Sequence, residues 1–286
     1  MALYDCFTFF NELDLLEMRL NVLADVVDTF VIVEADRTFQ GAQKPLHFAQ
    51  NAGRFAKFAD KIVYVPISLA ARTVAWDVER AQRNALVLGL RGCGPDDSVA
   101  ISDVDEIPSA AALQVARTGA EPTVCRQRLY YYFLNLRLRQ RWYGDLLMAL
   151  RYKRRLSGDW LGTAVVRFQD LLALGGPQAV RDRRHRFGVI EDGGWHWSYL
   201  GGIDALIEKV KSFSHTEANT EANLDRTRLE RVLREGRDFM GRWYLGYRFE
   251  TTPIDEGYPR YVRDNADQFE AWIRPASGAG REPPRS

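Results

Sequence analysis

Three carboxylates fall within four positions in the stretch Val99-Ala100-Ile101-Ser102-Asp103-Val104-Asp105-Glu106-Ile107-Pro108. In an extended segment, residues two apart project the same way, so Asp103 and Asp105 are expected to stand together. Like charges on one side of a strand end repel unless a cation lies between them. Mg²⁺ or Mn²⁺ suits that place, because hard cations take oxygen ligands and bridge carboxylates to substrate phosphates. The competing explanation is an acidic turn that caps the helix after Pro108. Entry straight from an apolar strand favours the cation. Phosphatases and polymerases also place Asp-x-Asp after a strand, but with a nucleophilic Asp at the end of the first strand or with further acidic motifs. Here that strand ends in Phe9-Phe10-Asn11-Glu12, with no such nucleophile. In a nucleotide-sugar transferase the pair would hold a divalent ion on the diphosphate and neutralise the leaving group.

Other chemistry-bearing residues lie on both sides of this motif. In Trp76–Asn84 (WDVERAQRN), Val78, Ala81, Ala85 and Leu88 make one apolar helical stripe. Arg83 and Asn84 lie off it, and Arg83 is a candidate diphosphate or ribose contact, since Arg pairs bidentately with phosphate. A solvated surface arginine is the plainer alternative. Late in the chain, His196 sits in Gly-Gly-Trp-His-Trp-Ser and His215 in Lys-Ser-Phe-Ser-His-Thr-Glu. Each can be an imidazole reaching the metal or diphosphate. Each can equally be structural, His196 as a packed aromatic and His215 as a helix C-terminal charge. Arg126–Arg155 interleaves nine Lys or Arg residues with tyrosines and tryptophan. That pattern suits single-stranded nucleic acid and equally a sugar or anionic donor.

The elements that position these groups follow from periodicity. Asp5–Phe10, Phe30–Glu34, Lys61–Ile67 and Ser98–Ser102 read as four strands, the last three rich in Val and Ile. Leu16, Leu20, Leu23 and Val27 mark a buried helix face between the first two, with Asn11 as its expected cap. Alternating strands and helices with unbroken apolar runs predict a parallel sheet covered on both faces. Ligands bind beyond the carboxyl ends of such strands, which is where Asn11, Glu34 and Asp103 fall. Thr123–Leu138 and Trp160–Phe168 are strand-like. Ile203, Leu206, Ile207 and Val210 mark one amphipathic helix, and Leu224–Gly236 reads as a second, highly charged one. The expected organisation is a single domain over residues 1–274 with a helical C-terminal part, divided into halves 1–118 and 119–274, and a disordered tail 275–286.

Composition narrows the classes. The 286-residue chain is 46% hydrophobic and carries a net charge of +1, ample for a core and with no bulk attraction to nucleic acid, which is not an expected partner. Its three cysteines are widely spaced, which predicts neither a disulfide framework nor a zinc site and fits a reducing compartment. No apolar run approaches the ~20 residues that span a bilayer, and the N-terminus lacks a signal pattern. A soluble, cytoplasmic location is expected.

Six ordered blocks then carry a resemblance: FFNELDLLEMRLNVL, FVIVEADRTFQGAQKPLHF, WDVERAQRN, SDVDEIP, GGWHWSYLGG and KVKSFSHTE, together spanning most of residues 5–220. The sequence resembles the family 17 glycosyltransferases. The resemblance implies an α/β, glycosyltransferase A-type (Rossmann-like) fold with a mostly parallel central sheet flanked by helices. It also implies a divalent metal (Mn²⁺ or Mg²⁺), inversion at the anomeric carbon and a nucleotide-diphosphate sugar donor, best read as a UDP-sugar with N-acetylglucosamine as the sugar. Under it, residues 1–118 are the donor-binding half and 119–274 the acceptor half. Asp103 and Asp105 take the metal–diphosphate role, with Asp105 the more direct ligand. Glu34 takes a nucleotide-recognition position, Trp195-His196 a Gly-Trp-His block in which His196 ranks above His215, and Lys209 a diphosphate contact. The acceptor hydroxyl needs a base within hydrogen-bond reach, and Glu106, Glu191 and Asp192 are the candidates. Animal members are membrane-anchored Golgi enzymes. This chain shows no anchor or luminal cysteine pattern, so its expected acceptor is a bacterial surface polysaccharide or a lipid-linked glycan. The rival classes are a metal-dependent phosphoesterase or nucleotidyltransferase, and a non-catalytic carbohydrate-binding protein of the same fold.

Overall fold

The unbroken apolar runs become strands. In the computed structural model, which describes residues 1–69, 74–140, 159–213, 216–242 and 246–275, β1 (Leu3–Phe9) is buried at every position. It pairs in parallel with β2 (Thr29–Ala35) on one side and β4 (Ser98–Asp103) on the other. β3 (Ile62–Ile67) adds to β2, also in parallel. The sheet core is therefore the parallel one predicted, in the order β3-β2-β1-β4. Burying each Val, Ile, Leu or Phe of this core contributes about 1.5–3 kcal/mol.

The chain divides into two compact units. Unit 1 comprises Met1–Arg128, Trp160–His196 and Glu208–Thr220. Its sheet continues past β4 with the antiparallel β8 (Asp159–Arg167) and the first part of β6 (Thr123–Tyr131). Short β5 (Glu106–Pro108) follows β4 after a turn, and β9 (Gly188–Ile190) pairs with β6. β10 (Gly194–Ser198) runs antiparallel to β5, with His196 opposite Glu106. The helix Leu13–Leu23 buries Leu15, Leu16, Met18, Leu20 and Leu23 against the sheet. Asn11 does not cap it. Glu12 occupies the cap, and its Oε2 accepts from the Phe10 and Asn11 amides at 3.2 and 3.1 Å.

Unit 2 comprises Leu129–Asp159, Trp197–Ile207 and Glu221–Ser286. The expected C-terminal helix is Arg226–Glu235, capped by Asp225 and ended by left-handed Gly236. The region is not purely helical, because β11 (Tyr247–Thr251) pairs antiparallel with β7 (Leu136–Gln140). Tyr131, Tyr132, Tyr199, Phe239 and Phe249 make its aromatic core. These tyrosines therefore pack rather than bind. Residues 141–155 of the basic aromatic stretch, the tail from 276 and His215 lie outside the described residues. No helix among the described residues is long and apolar enough to cross a membrane.

Candidate functional site

A single buried side chain shapes the acidic turn. Arg19 donates Nε and Nη2 to the two Asp5 oxygens at 2.7 and 2.6 Å, and Nη2 also reaches Ser102 Oγ at 2.6 Å. Its Nη1 faces the carbonyls of Asp103, Val104 and Glu106 at 3.0, 3.3 and 3.0 Å. Arg19 and Asp5 are both fully buried, and the guanidinium lies over the Phe7 ring. A buried ion pair is tolerable only when its remaining donors are satisfied, and here the fork is fully engaged. Sequence reasoning passed over Arg19, although an arginine between Met18 and Leu20 on an apolar helix face was a usable signal.

The two aspartates part company at this turn. The chain leaves extended geometry at Val104-Asp105, so the two-residue alternation that would align their side chains no longer applies. Asp103 Oδ1 accepts from Arg83 Nη2 at 2.9 Å and Thr8 Oγ1 at 3.3 Å, and Oδ2 from Arg181 Nη2 at 3.0 Å. Burial pushes the Asp103 carboxyl up, but Arg83 and Arg181 pull it far below the usual range. Asp105 Oδ2 accepts from Lys209 Nζ at 2.6 Å, while Oδ1 lies 3.6 Å from His196 Nε2. Burial again acts upward on Asp105, and Lys209 then His196 hold it well below the carboxylate range. Asp103, expected beside Asp105 on one cation, is instead claimed by two guanidiniums.

Several expected ligands are structural. Glu106 is 1% exposed and accepts from Trp160 Nε1 at 2.6 Å, Arg181 Nη1 at 2.6 Å, Arg181 Nη2 and the Asp103 amide at 3.2 Å. Some of these contacts would have to loosen before the carboxylate took up a proton. Glu191 and Asp192 sit in the exposed turn before β10, paired with Arg126 and Arg128. Asp192 lies beyond the Gly194–Pro108 end of the ladder, four residues before His196. Glu34 is fully buried and accepts from Lys44 Nζ, the His47 and Phe48 amides and Tyr64 OH at 2.7, 2.6, 3.0 and 3.0 Å. It pins the 44–48 loop and has no lone pair left for a nucleotide. Asn84 Oδ1 accepts the Gln178 amide at 3.0 Å and so caps the helix Pro177–Arg183. Arg83 is buried and spent on Asp103, Glu79 and Gln178. Trp195 points to the opposite face of β10 from His196. Asn11 remains at the carboxyl edge, half-buried beyond the end of β1.

The structure thus brings together Asp103, Asp105, His196 and Lys209, and adds Arg181 and Trp160, which the sequence did not flag. Among the described residues no group of three or more His, Cys, Asp or Glu side chains could hold a metal ion. The pair Asp105 Oδ1 and His196 Nε2 nevertheless offers one oxygen and one nitrogen donor side by side. An oxygen and an imidazole nitrogen suit Mn²⁺ better than the oxygen-seeking Mg²⁺, with substrate phosphates and water completing the shell.

A family model described as glycosyltransferase family 17 matches residues 1–156. Beta-1,4-mannosyl-glycoprotein 4-beta-N-acetylglucosaminyltransferases from Rattus norvegicus and Homo sapiens are each 26% identical over 91% of this chain, which spans 52% of their length. Among solved structures, a mannosyltransferase from Pyrobaculum calidifontis in complex with GDP-Man and Mn²⁺ aligns at a TM-score of 0.40 and 15% identity, covering 74% of this chain and 61% of that one.

Proposed function

Because the chain belongs to glycosyltransferase family 17, we propose that it moves a sugar from a nucleotide-diphosphate donor to a hydroxyl of a glycan or lipid-linked acceptor, with inversion. The observation that carries this reading is Asp105, buried at the carboxyl edge of a parallel sheet between the Lys209 ammonium and the His196 imidazole. Ligand-binding crevices of α/β sheets lie at that edge. N-acetylglucosamine is the sugar in the names of the relatives and is the one proposed here, and a UDP carrier is what the sequence resemblance implies. The location proposed is cytoplasmic, and the acceptor proposed is a surface polysaccharide or lipid-linked glycan.

Asp105 and His196 would hold Mn²⁺ or Mg²⁺, which supplies charge neutralisation to the departing diphosphate. Asp103, locked between Arg83 and Arg181, keeps those two guanidiniums aligned at the edge of the site. Lys209 satisfies Asp105 in the free protein, and its flexible stem lets the ammonium turn to an incoming phosphate. Arg19 keeps the turn backbone in the one shape that presents Asp105 to His196 and Lys209. Glu106, Glu191 and Asp192, each held by an arginine in the free protein, are the candidates for taking the acceptor's proton.

The test is a panel of UDP- and GDP-sugars with Mn²⁺, following nucleoside diphosphate release and glycoside formation. Asp105→Asn should lower kcat about 10²–10³-fold, the loss typical of removing one electrostatic stabiliser. A variant that turned over donor at the parental rate would refute the reading.

A further inference from the structure

The helix Pro177–Arg183 runs into a single turn of tighter helix, Arg184–Arg186. Residues three apart share a helix face, so Arg181 and Arg184 both reach the region behind the acidic turn. Arg181 is spent there on Glu106, Asp103 and the Gly162 carbonyl. Arg83 is spent on Asp103, Glu79 and Gln178. These two arginines share the acids between them and leave none for the third.

Arg184 is held differently. Its Nε donates to the Leu161 carbonyl and its Nη1 to the Arg181 carbonyl, both at 2.7 Å. Its guanidinium lies 5.6 Å from the Trp160 ring. Among the described residues it forms no ion pair with a carboxylate. Burial and the neighbouring Arg181 both lower its pKa, yet a guanidinium remains charged at neutral pH. A partly desolvated cation in no direct ion pair, which Glu106 and Asp103 attract only at longer range, costs stability. The fold keeps it in place with two backbone carbonyls, where a free side chain would turn its head to water.

The neighbours of Arg184 say where an anion would sit. The Trp160 ring that Arg184 covers also lies 5.3 Å from the His196 ring, and His196 Nε2 is 3.6 Å from Asp105. The Trp160 indole is thus the shared neighbour of the guanidinium and of the pair of groups suited to the cation. Nη2 makes no hydrogen bond among the described residues, and Arg takes phosphate oxygens bidentately.

We propose that Arg184 anchors the donor diphosphate: its guanidinium, aimed by the Leu161 and Arg181 carbonyls and stacked on Trp160, is the counter-charge that the bound diphosphate completes. The identity of that anion rests on the donor reading above. Inorganic pyrophosphate and UDP are titrated by calorimetry into the full chain and into its Arg184→Met and Arg184→Lys variants, with Tm recorded for each. Arg184→Met should weaken pyrophosphate binding about ten- to hundredfold, the scale of a charge-assisted hydrogen bond, with Tm unchanged or raised because an unpaired charge has been removed. Arg184→Lys should recover part of the affinity. Undiminished pyrophosphate binding by Arg184→Met would overturn the proposal. So would a fall in Tm beyond about 5 °C, which would make Arg184 a structural residue. If Arg184-dependent pyrophosphate binding is found in a chain that turns over no nucleotide sugar, the anion site stands and only the donor reading fails.

Discussion

Replacing Arg19 by Met isolates the device that shapes the acidic turn. Met matches the stem of Arg in volume and preserves the apolar contact with Phe7, so the perturbation is mainly the lost charge and hydrogen bonds. Asp5, which is 0% exposed, becomes an unpaired buried carboxylate. Removing one partner of a buried pair costs about 3–5 kcal/mol. The carbonyls of Asp103, Val104 and Glu106 lose their shared donor as well, which places the expected loss toward the upper end. All the groups involved belong to unit 1, so the transition of that unit is the one that moves. In urea, with m of about 2–3 kcal/mol/M, its midpoint followed by far-UV circular dichroism should fall by roughly 1–2 M. The double variant Asp5→Leu/Arg19→Met removes the stranded charge and should recover most of that loss, because apolar replacement of both partners is often near neutral. What it fails to recover measures the turn carbonyls. A single variant within about 1 kcal/mol of the parent would refute the reasoning, as would a double variant no more stable than the single.

Asp105 also sets a pH dependence. Its folded pKa lies below the unfolded value near 3.9, so the unfolded chain takes up the proton first as pH falls. Its contribution is therefore complete above about pH 5 and fades below about pH 4, and the Tm gap between parent and Asp105→Asn should be widest at neutral pH and close on acidification. A gap that widened toward low pH would contradict the assignment. Gly194→Ala tests the ladder that carries His196: at φ +129°, an added Cβ would meet the Ile107 carbonyl at 2.3 Å. It should destabilise by more than about 1 kcal/mol and weaken Mn²⁺ binding measured by electron paramagnetic resonance, whereas an unaltered Tm would show that the backbone there can yield.

The parallel core was legible because Phe30–Glu34 and Ser98–Ser102 are continuous apolar runs, and such runs have few alternatives to a doubly covered strand. The DVD spacing and the family blocks also singled out Asp105, His196 and Lys209, which the fold places side by side. Less legible were the partners these groups find. Glu34, Asn84 and Glu106 have the chemistry of ligands, and tertiary contacts hold each in the free protein, for Asn84 and Glu106 with partners 94 and 75 positions away that no local pattern discloses. The same distance hid Arg181 inside RDRRHR. The separate partners of Asp103 and Asp105 were hidden for a local reason, because β4 and its alternation end at Asp103.

Unit 1 is assembled from three separated stretches of chain, and the lysine that satisfies Asp105 comes 104 residues after it. At about 5–20 residues per second of synthesis, Asp105 would wait roughly 5–20 s for its counter-charge. The β1–β4 core can close in that interval, because its strands all precede Val104. The acidic turn cannot settle until Arg181 and then Lys209 emerge. A nascent chain stalled between these points would thus carry a formed sheet with an unfinished acidic edge, and release of the third stretch is the step that makes the protein competent.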